Sequence, residues 1–217
     1  MSRRIVAMAL ASAVALAGCD GRSADAPAAD DAKGWTALLR RSDVYGQKRA
    51  IDALARIGEP AIPGLRGALD DTRVDVRLAS VRTLSRLREP AAPALGAALR
   101  DVDPVVRNEA CDALVAIGPD AADEIRTGIG GSNHSMRESA VLCAGRLGAA
   151  GIVILPDAFA DGDRRVRGRG VEAALAIGPA ALPALEAARS KLSGGDLADV
   201  DRAIAEIRSR DVSKPAA

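Results

Sequence analysis

The sequence has 217 residues, room for one ordinary domain or one short array of repeats, and 48% of them are hydrophobic. Only Trp35, Tyr45 and Phe159 are aromatic, so Ala, Leu, Val and Ile must form the core, which favours closely stacked helices over a β-sandwich. With 30 basic and 29 acidic residues, the chain lacks the positive excess of a nucleic-acid-binding protein, and no nucleic acid is expected as a partner.

The first 18 residues have the pattern of a bacterial lipoprotein signal peptide. Arg3 and Arg4 precede an apolar run from Ile5 to Ala17, which is shorter than the roughly 20 residues that span a bilayer but fits the apolar core of a signal peptide. The run ends in Leu16-Ala17-Gly18-Cys19, which resembles the lipobox. That resemblance implies cleavage before Cys19, a diacylglyceryl group on its sulfur and a fatty acid such as palmitate on its new amino group.

Several acyl chains on one cysteine make a stable membrane anchor. The next residue, Asp20, resembles the signal that keeps some bacterial lipoproteins in the inner membrane. We therefore expect a location in the bacterial cell envelope, facing the periplasm, with the inner membrane favoured over the outer. The alternative is an ordinary signal peptide that contains a cysteine by chance. Residues 19–34 are rich in Ala, Asp, Ser, Pro and Gly and lack apolar periodicity, which predicts a flexible tether that begins at the lipidated cysteine.

Residues 35–209 repeat with a period of 30, in about five copies without a gap. One column of this repeat holds large apolar residues and another holds small residues. The two columns are Leu65, Leu95, Ile125, Leu155 and Leu185, and Ala50, Ser80, Ala110, Ala140 and Gly170. Because one 30-residue unit cannot bury its apolar face alone, the units must stack. The repeat predicts an all-α fold, an α-solenoid (α-α superhelix) of about five helical hairpins.

Each unit predicts a short helix A and a longer helix B, and the ends of these helices carry recurring residues. Proline starts helix A, Asp or Asn caps the N-terminus of helix B, and glycine closes its C-terminus. These residues are Pro60, Pro90, Pro119 and Pro179; Asp43, Asp103, Asn133 and Asp163; and Gly58, Gly118, Gly148 and Gly178. Arg73 interrupts the capping column. Trp35 to Arg41 and Asp196 to Arg208 are predicted as helices that cap the two ends of the stack, and residues 210–217 as a disordered tail.

The period and two motifs resemble a known repeat family. The motifs are the pattern Asp-x-x-Val-Arg-x-x-Ala, from Asp103 to Ala110, and the Ile-Gly-Pro-x-Ala stretches that begin at Ile117 and Ile177. They are similar to the HEAT-like repeats named after phycobilisome lyases, whose members serve as scaffolds, adaptors and a few enzymes. The resemblance implies an internal ladder in which an Arg at the start of helix B bridges to the Asp of an adjoining turn. The ladder residues are Arg77, Arg107, Arg137 and Arg167, with Asp103 and Asp163 and also Asp101 and Asp161 as partners.

No catalytic, metal or cofactor site is predicted. His134 is the single histidine and falls in a turn, so neither a Ser-His-Asp set nor the several His-Glu pairs of a deoxyhypusine hydroxylase-like protein can form. Cys111 and Cys143 lie in adjacent B helices, whose axes are expected about 8–10 Å apart, and their side chains are predicted to point differently. We expect two buried thiols in preference to a disulfide, although an exported chain can oxidise them.

Columns of helix B that vary freely predict an exposed, partner-binding surface. In α-solenoids the second helices line the concave side, where extended partners bind. The predicted residues are Arg82, Arg86, Glu109, Asp112, Leu142, Arg146, Arg169 and Glu172. Their mixed charges and isolated Leu suit a protein or peptide better than a small molecule, and a plain solvated face is the alternative. The sequence thus favours a monomeric scaffold or adaptor over a structural envelope protein without a dedicated partner, and both over a lyase-type or chromophore-handling enzyme.

Overall fold

The computed structural model describes residues 26–41 and 43–212, and the side chains as far as Arg210. Within these residues twelve α-helices follow one another, and no β-strand occurs. The helices are α1 (Ala32–Arg41), α2 (Val44–Ile57), α3 (Ile62–Ala68), α4 (Val74–Leu87), α5 (Ala92–Ala98), α6 (Pro104–Ile117), α7 (Ala122–Thr127), α8 (His134–Leu147), α9 (Leu155–Phe159), α10 (Arg164–Ile177), α11 (Leu182–Arg189) and α12 (Gly194–Val212). The predicted all-α solenoid is confirmed.

The helices pair as hairpins in which an odd-numbered helix A precedes an even-numbered helix B. The five B helices from α2 to α10 all have 14 residues, a length of about 21 Å. Each B helix contacts the next B helix, as α4 contacts α6, and several A helices contact the next A helix, as α5 contacts α7. The described chain is therefore a stack of two layers, one of A helices and one of B helices.

A short 3₁₀ turn leads into the A helices. Glu59–Ala61, Glu89–Ala91 and Pro119–Ala121 precede α3, α5 and α7, and each holds a proline at its first or second position. Proline is tolerated there because the first N–H groups of a helix have no partner within the helix. The turn shortens the α-helical part of each A segment to between five and eight residues.

The predicted N-caps of helix B are confirmed. The side-chain oxygens of all four capping residues accept a backbone N–H from the first turn of their helix, as Asp43 does from Gly46 at 2.9 Å. Arg73, which interrupts the column, makes no side-chain cap. Its own N–H donates instead to the carboxylate of Asp71 at 3.1 Å, so an acid two residues earlier orders this turn.

Each B helix from α2 to α10 ends at a residue with a positive φ angle. In four units this residue is one of the predicted glycines, Gly58, Gly118, Gly148 and Gly178, with φ between 71° and 100°. Glycine adopts such angles because it has no Cβ to clash with the backbone. Arg88 takes the same place in the second full unit with φ of 59°, and no other non-glycine residue of the described chain has a positive φ. This position is strained, at a typical cost of about 1–3 kcal/mol.

The column of large apolar residues forms the centre of the stack. Leu65, Leu95, Ile125, Leu155 and Leu185 are all fully buried. Each lies in the A helix of its unit and belongs to the buried core. The repeat therefore corresponds to a core built from nearest-neighbour contacts, in two clusters that both pack against Ile129.

The helical array is longer at both ends than the sequence predicts. α1 begins at Ala32, and the residues before it pack against it, since Trp35 donates from Nε1 to the carbonyl of Ala28 at 2.8 Å and Ala26 contacts the core. At the other end α12 runs to Val212, into the predicted tail. Both terminal helices pair with a neighbour, α1 with α2 and α12 with α11. The array is thus six hairpins rather than five with single capping helices.

Two stretches of the described chain, His134–Phe159 and Arg164–Arg189, are long and apolar enough by composition to cross a membrane. Each consists of a B helix followed by the next A helix, with a positive-φ residue between them, Gly148 or Gly178. Neither is a single straight α-helix, and their apolar side chains contribute to the core of the stack. The predicted signal peptide, Cys19 and Asp20 lie outside the described residues.

Cys111 and Cys143 form a disulfide between α6 and α8, so the expectation of two free thiols is wrong. Their Cα atoms are 5.6 Å apart, a separation that disulfides commonly bridge. The expectation relied on the distance between helix axes, but each Cα lies about 2.3 Å from its own axis. Residues on the facing sides of two helices whose axes are 8–10 Å apart therefore approach to about 3.5–5.5 Å.

Candidate partner-binding surface

A ladder of arginines connects the turns between A and B helices. Arg77, at the start of α4, donates to both carboxylate oxygens of Asp101 in the next unit, at 2.7 and 3.1 Å. Its remaining guanidinium nitrogen donates to two carbonyls of its own turn. Arg137 binds Asp161 with the same geometry, at 2.7 and 3.1 Å. Each of these arginines thereby ties its own turn to the turn of the following unit.

The ladder changes partners where the acid is missing. Gly131 takes the place of the acid in one unit, so Arg107 donates to the hydroxyl of Ser139 at 2.9 Å. In the last unit Arg167 binds Asp196 at the start of α12, at 2.6 Å. The column of four arginines is thus satisfied throughout, by acids in three units and by a serine in one.

The predicted ladder partners Asp103 and Asp163 do not take part in it, which corrects the sequence-based assignment. Both accept a backbone N–H of their own helix as N-caps, at 2.7 and 2.9 Å. The acids two residues earlier, Asp101 and Asp161, bind the arginines instead. A carboxylate engaged with the N–H groups at a helix start serves that helix, and the acid two residues earlier in the turn is the one within reach of the neighbouring unit.

Burial and pairing shift the ionisation of the ladder groups. The hydrogen bond to Asp101 raises the pKa of Arg77 above its ordinary value. Burial alone would raise the pKa of the Asp161 carboxyl, but hydrogen bonds from Arg137 and from a backbone N–H hold this pKa below its ordinary value. The side chains of Arg77 and Asp101 are only 9% and 7% exposed. The ladder therefore stabilises the stack and offers little surface to a partner.

The predicted partner-binding residues lie on α4, α6, α8 and α10, on a surface that we call the B face. Most of them form ion pairs. The pairs are Arg82–Glu109, Arg86–Asp52, Arg146–Asp112, Arg169–Glu138 and Arg169–Glu172. All but the last join two neighbouring B helices. Partly exposed pairs of this kind typically contribute no more than about 1 kcal/mol each, so their charges can be exchanged for those of a partner at little cost.

An open groove of about 410 Å³ lies on the B face between α6, α8 and α10. Leu142 stands in this groove with 39% of its surface exposed. Cys111 of the disulfide, Gly145, Ala173 and Ala176 contribute the rest of its apolar lining. The disulfide thus holds together two of the three helices that form the groove.

Small side chains create the groove. Gly145 stands where the neighbouring units have Val115 and Leu175. A Cβ at this glycine would lie 2.9 Å from the Cα of residue 173, so α8 and α10 approach closely because it is absent. Arg146 and Glu172 stand at the rim, each held in an ion pair. An apolar floor with both signs of charge at its rim suits an apolar side chain of a protein partner, flanked by charged residues.

The sequence identified the residues of this surface but not their connections. Leu142, Arg146 and Glu172 line the groove, and the other predicted residues belong to the ion pairs. Asp52 and Glu138 also lie in the variable columns of helix B. Their pairing was not predicted, although each carries a charge opposite to an arginine about one unit away in sequence. No feature of the repeat pattern predicts the disulfide beside the groove.

Metal-binding side chains do not come together within residues 26–41 and 43–212. No group of three or more His, Cys, Asp or Glu side chains in this part of the chain could hold a metal ion. His134 lies at the first position of α8, with its Nε2 at 4.0 Å from Glu138.

Comparison with known proteins agrees with the repeat fold. Residues 32–115 match the family model of HEAT repeats. A structure of Crescerin, which uses a TOG domain array to regulate microtubules in the primary cilium, is similar over 80% of this chain and 88% of that chain, with 18% identity and a TM-score of 0.61. A structure concerned with tubulin recruitment and assembly by microtubule polymerases with TOG domain arrays is similar over 83% of this chain and 51% of that chain, with 13% identity and a TM-score of 0.56. No curated protein matches the sequence.

At these identities the similarity to solved structures shows the fold alone. The family match covers the first three hairpins, and the same alternation of A and B helices continues to the end of α12. The described chain is therefore an α-solenoid of stacked helical hairpins, and its first part, residues 32–115, is similar to HEAT repeats.

Proposed function

We propose that the protein is a lipid-anchored scaffold or adaptor of the bacterial cell envelope, which faces the periplasm and binds another protein through the B face. The observation that carries this proposal is the groove at Leu142, where an apolar floor is surrounded by ion-paired charges. Protein interfaces gain most of their affinity where an apolar side chain fills such a depression and polar neighbours exclude water. Repeat solenoids commonly present extended surfaces of this kind, and the two similar solenoids come from proteins that regulate microtubules or recruit tubulin, which are protein partners.

The lipid anchor is proposed from the sequence Leu16-Ala17-Gly18-Cys19, and the disulfide supports export. Disulfides persist in oxidising compartments such as the bacterial periplasm and are rare in the cytosol. Cys111 and Cys143 form a disulfide within the fold, which is consistent with an oxidising compartment. Asp20 favours the inner membrane as the site of the anchor. The 30-residue period supports the finer resemblance to repeats of the phycobilisome-lyase type, but we propose no catalytic role.

Photo-crosslinking at the groove tests the partner proposal. A photo-reactive amino acid replaces Leu142 in the full chain, and membranes are illuminated. We expect one adduct of defined mass, and we expect it to disappear when Arg146→Glu and Glu172→Arg reverse the charges of the rim. The matched control places the same photo-reactive residue at Val153, which is 50% exposed and leads into α9, away from the B face. Identical adducts at both positions, or none at 142, contradict the proposal, and the second result favours a structural protein without a dedicated partner.

Mass spectrometry of the protein extracted from membranes tests the anchor separately. The first peptide of the mature chain should begin at Cys19 and carry the mass of a diacylglyceryl group with an additional acyl chain. Cys19→Ser should abolish this mass. A mature chain with an unmodified Cys19 would show that the segment is an ordinary signal peptide.

A further inference from the structure

The first hairpin carries an exposed patch that is both apolar and basic. Val44 and Tyr45, the first residues of α2, are 79% and 81% exposed, more than the other exposed large apolar side chains of the described residues. Lys48, which is exposed, and Arg49, which is half-buried, follow them on the same side of the helix, because residues three and four positions apart are neighbours on an α-helix. Arg41, the last residue of α1, precedes them across the turn. We call these five residues the anchor-side patch.

The charge of this hairpin differs from that of the rest of the array. Residues 32–57 contain six basic and two acidic residues, a net charge of +4, whereas residues 58–212 contain 20 basic and 23 acidic residues, a net charge of −3. Both acids of the hairpin are already engaged, Asp43 as the N-cap of α2 and Asp52 with Arg86. The end of the solenoid that follows the tether is therefore its positive end.

The cations of the patch are also free of ion pairs with the described residues. No carboxylate in this part of the chain lies within 4 Å of the charged groups of Arg41, Lys48 or Arg49, whereas arginines of later units such as Arg82 and Arg146 are paired. A solvated cation that has no internal partner can bind an external anion without breaking an existing contact. The patch thus differs in kind from the self-paired B face.

The length of the intervening chain places the patch close to the proposed anchor. Ala26, which lies seven residues after Cys19, contacts the core, and the carbonyl of Ala28 accepts a hydrogen bond from Trp35. Seven residues span at most about 25 Å when fully extended. α1 has 10 residues, a length of about 15 Å. The patch at the far end of α1 therefore stays within reach of the surface of a bilayer that holds the acyl chains.

We infer that the anchor-side patch binds anionic lipid headgroups of the membrane that carries the anchor. Arg41, Lys48 and Arg49 pair with the phosphate groups, since each basic residue close to an anionic bilayer strengthens binding. Tyr45 and Val44 enter the interface, where a side chain with an apolar body and a polar tip is well accommodated. This inference rests on the proposed lipid anchor, which keeps the patch at a high effective concentration near the bilayer, so that a weak contact suffices.

The contact orients the solenoid. The first hairpin lies against the membrane, while the groove between α6, α8 and α10 lies two or more units away from it. The B face would then be presented to partners in the periplasm rather than to the bilayer.

Vesicle co-sedimentation tests the inference on a chain that cannot be acylated. Residues 20–217 contain the complete fold, because both core clusters are built from residues between Ala26 and Ile207. Vesicles of phosphatidylcholine with about one third phosphatidylglycerol are compared with vesicles of phosphatidylcholine alone, at low ionic strength. We expect binding to the anionic vesicles and an approximately 30-fold weaker partition for Lys48→Gln/Arg49→Gln. Val44→Ser/Tyr45→Ser should also weaken binding, without a change in the neutral-lipid control.

The matched control removes two exposed cations elsewhere, with Arg100→Gln/Lys191→Gln. It changes the net charge equally, so a general attraction between protein and vesicle predicts the same loss, whereas the inference predicts a loss of less than about threefold. Equal losses for the two pairs, or no preference for anionic vesicles, overturn the inference. Because the tested chain lacks Cys19, this result is independent of the acylation measured above, and the two proposals can fail separately.

Discussion

Of all residue pairs in the array, the disulfide is expected to contribute most to its stability. Cys111 and Cys143 are separated by 32 positions in the sequence. The chain-entropy relation for a loop of this length predicts a stabilisation of about 3.7 kcal/mol at 25 °C. That is a large part of the 5–15 kcal/mol by which folded domains typically exceed their unfolded states. Reduction of the purified protein should therefore lower its free energy of unfolding by roughly this amount.

The repeat itself supplies substitutions that remove the cross-link and preserve packing. Cys143 stands in a column otherwise occupied by alanine and, at Thr83, by threonine, and Cys111 in a column otherwise occupied by valine and isoleucine. Urea titrations of Cys111→Val, Cys143→Ala and the double variant, with and without dithiothreitol, separate the cross-link from the packing. Each single substitution abolishes the whole disulfide, so the double variant should lose about as much stability as either single one and should not respond to the reductant.

The outcome that refutes this reasoning is additivity. If the losses of the two single variants sum in the double variant, the cysteines act as independent packing residues, and the disulfide contributes little. The same conclusion follows if dithiothreitol reduces the bond in the wild-type protein, as thiol titration would show, without a change in the urea midpoint.

Three further predictions concern the turns. Arg88→Gly should raise the free energy of unfolding by about 1 kcal/mol, because it removes the cost of a side chain at positive φ. Gly118→Ala, at the same place in the next unit, should lower the free energy of unfolding. Thermal melts of the two variants test the direction of each change. Arg77→Met should cost about 3 kcal/mol in urea, since it leaves the buried Asp101 carboxylate unpaired, whereas Arg126→Met at an exposed pair should have little effect. The folded-state pKa of Asp161 lies below its unfolded value of about 3.9. Its contribution to stability is therefore present above pH 4 and is lost as the pH falls through the folded pKa. Asp161→Asn should reduce the loss of stability at acidic pH, and an unchanged acid-side profile would contradict this role of Asp161.

Much of the fold could be predicted from the sequence because it depends on local and periodic features. The N-caps and the glycines at the ends of the B helices act within one turn of their own helix, so residue type and spacing suffice to recognise them. Leu95 and its equivalents recur in register because every unit packs against its neighbour in the same way. The ends of the array were predicted less well, since Ala26 and Ala28 pack against α1 through contacts that leave no repeating pattern.

The candidate surface shows the same division. Exposure of Leu142 and of the charged columns follows from their variability between units. The pairing of the charges does not, because each arginine reaches an acid one unit before or after its own, and the direction depends on the packing of the B helices. Asp101 rather than Asp103 binds Arg77 for a related reason, since the geometry of the turn decides which of the two acids faces the neighbouring unit.

The sequence alone determined that this chain is a stack of helical hairpins with capped helix ends and a buried leucine column, because a hairpin with one apolar face must bury that face against another copy. Only the tertiary structure decided that Cys111 and Cys143 are joined, that a groove opens beside Gly145, and that Arg41, Lys48 and Arg49 pair with no carboxylate of the described residues. These features depend on distances of a few ångströms between side chains of different units. The spacing of residues along the chain sets the order of the units, whereas these distances are set by how closely the helices pack.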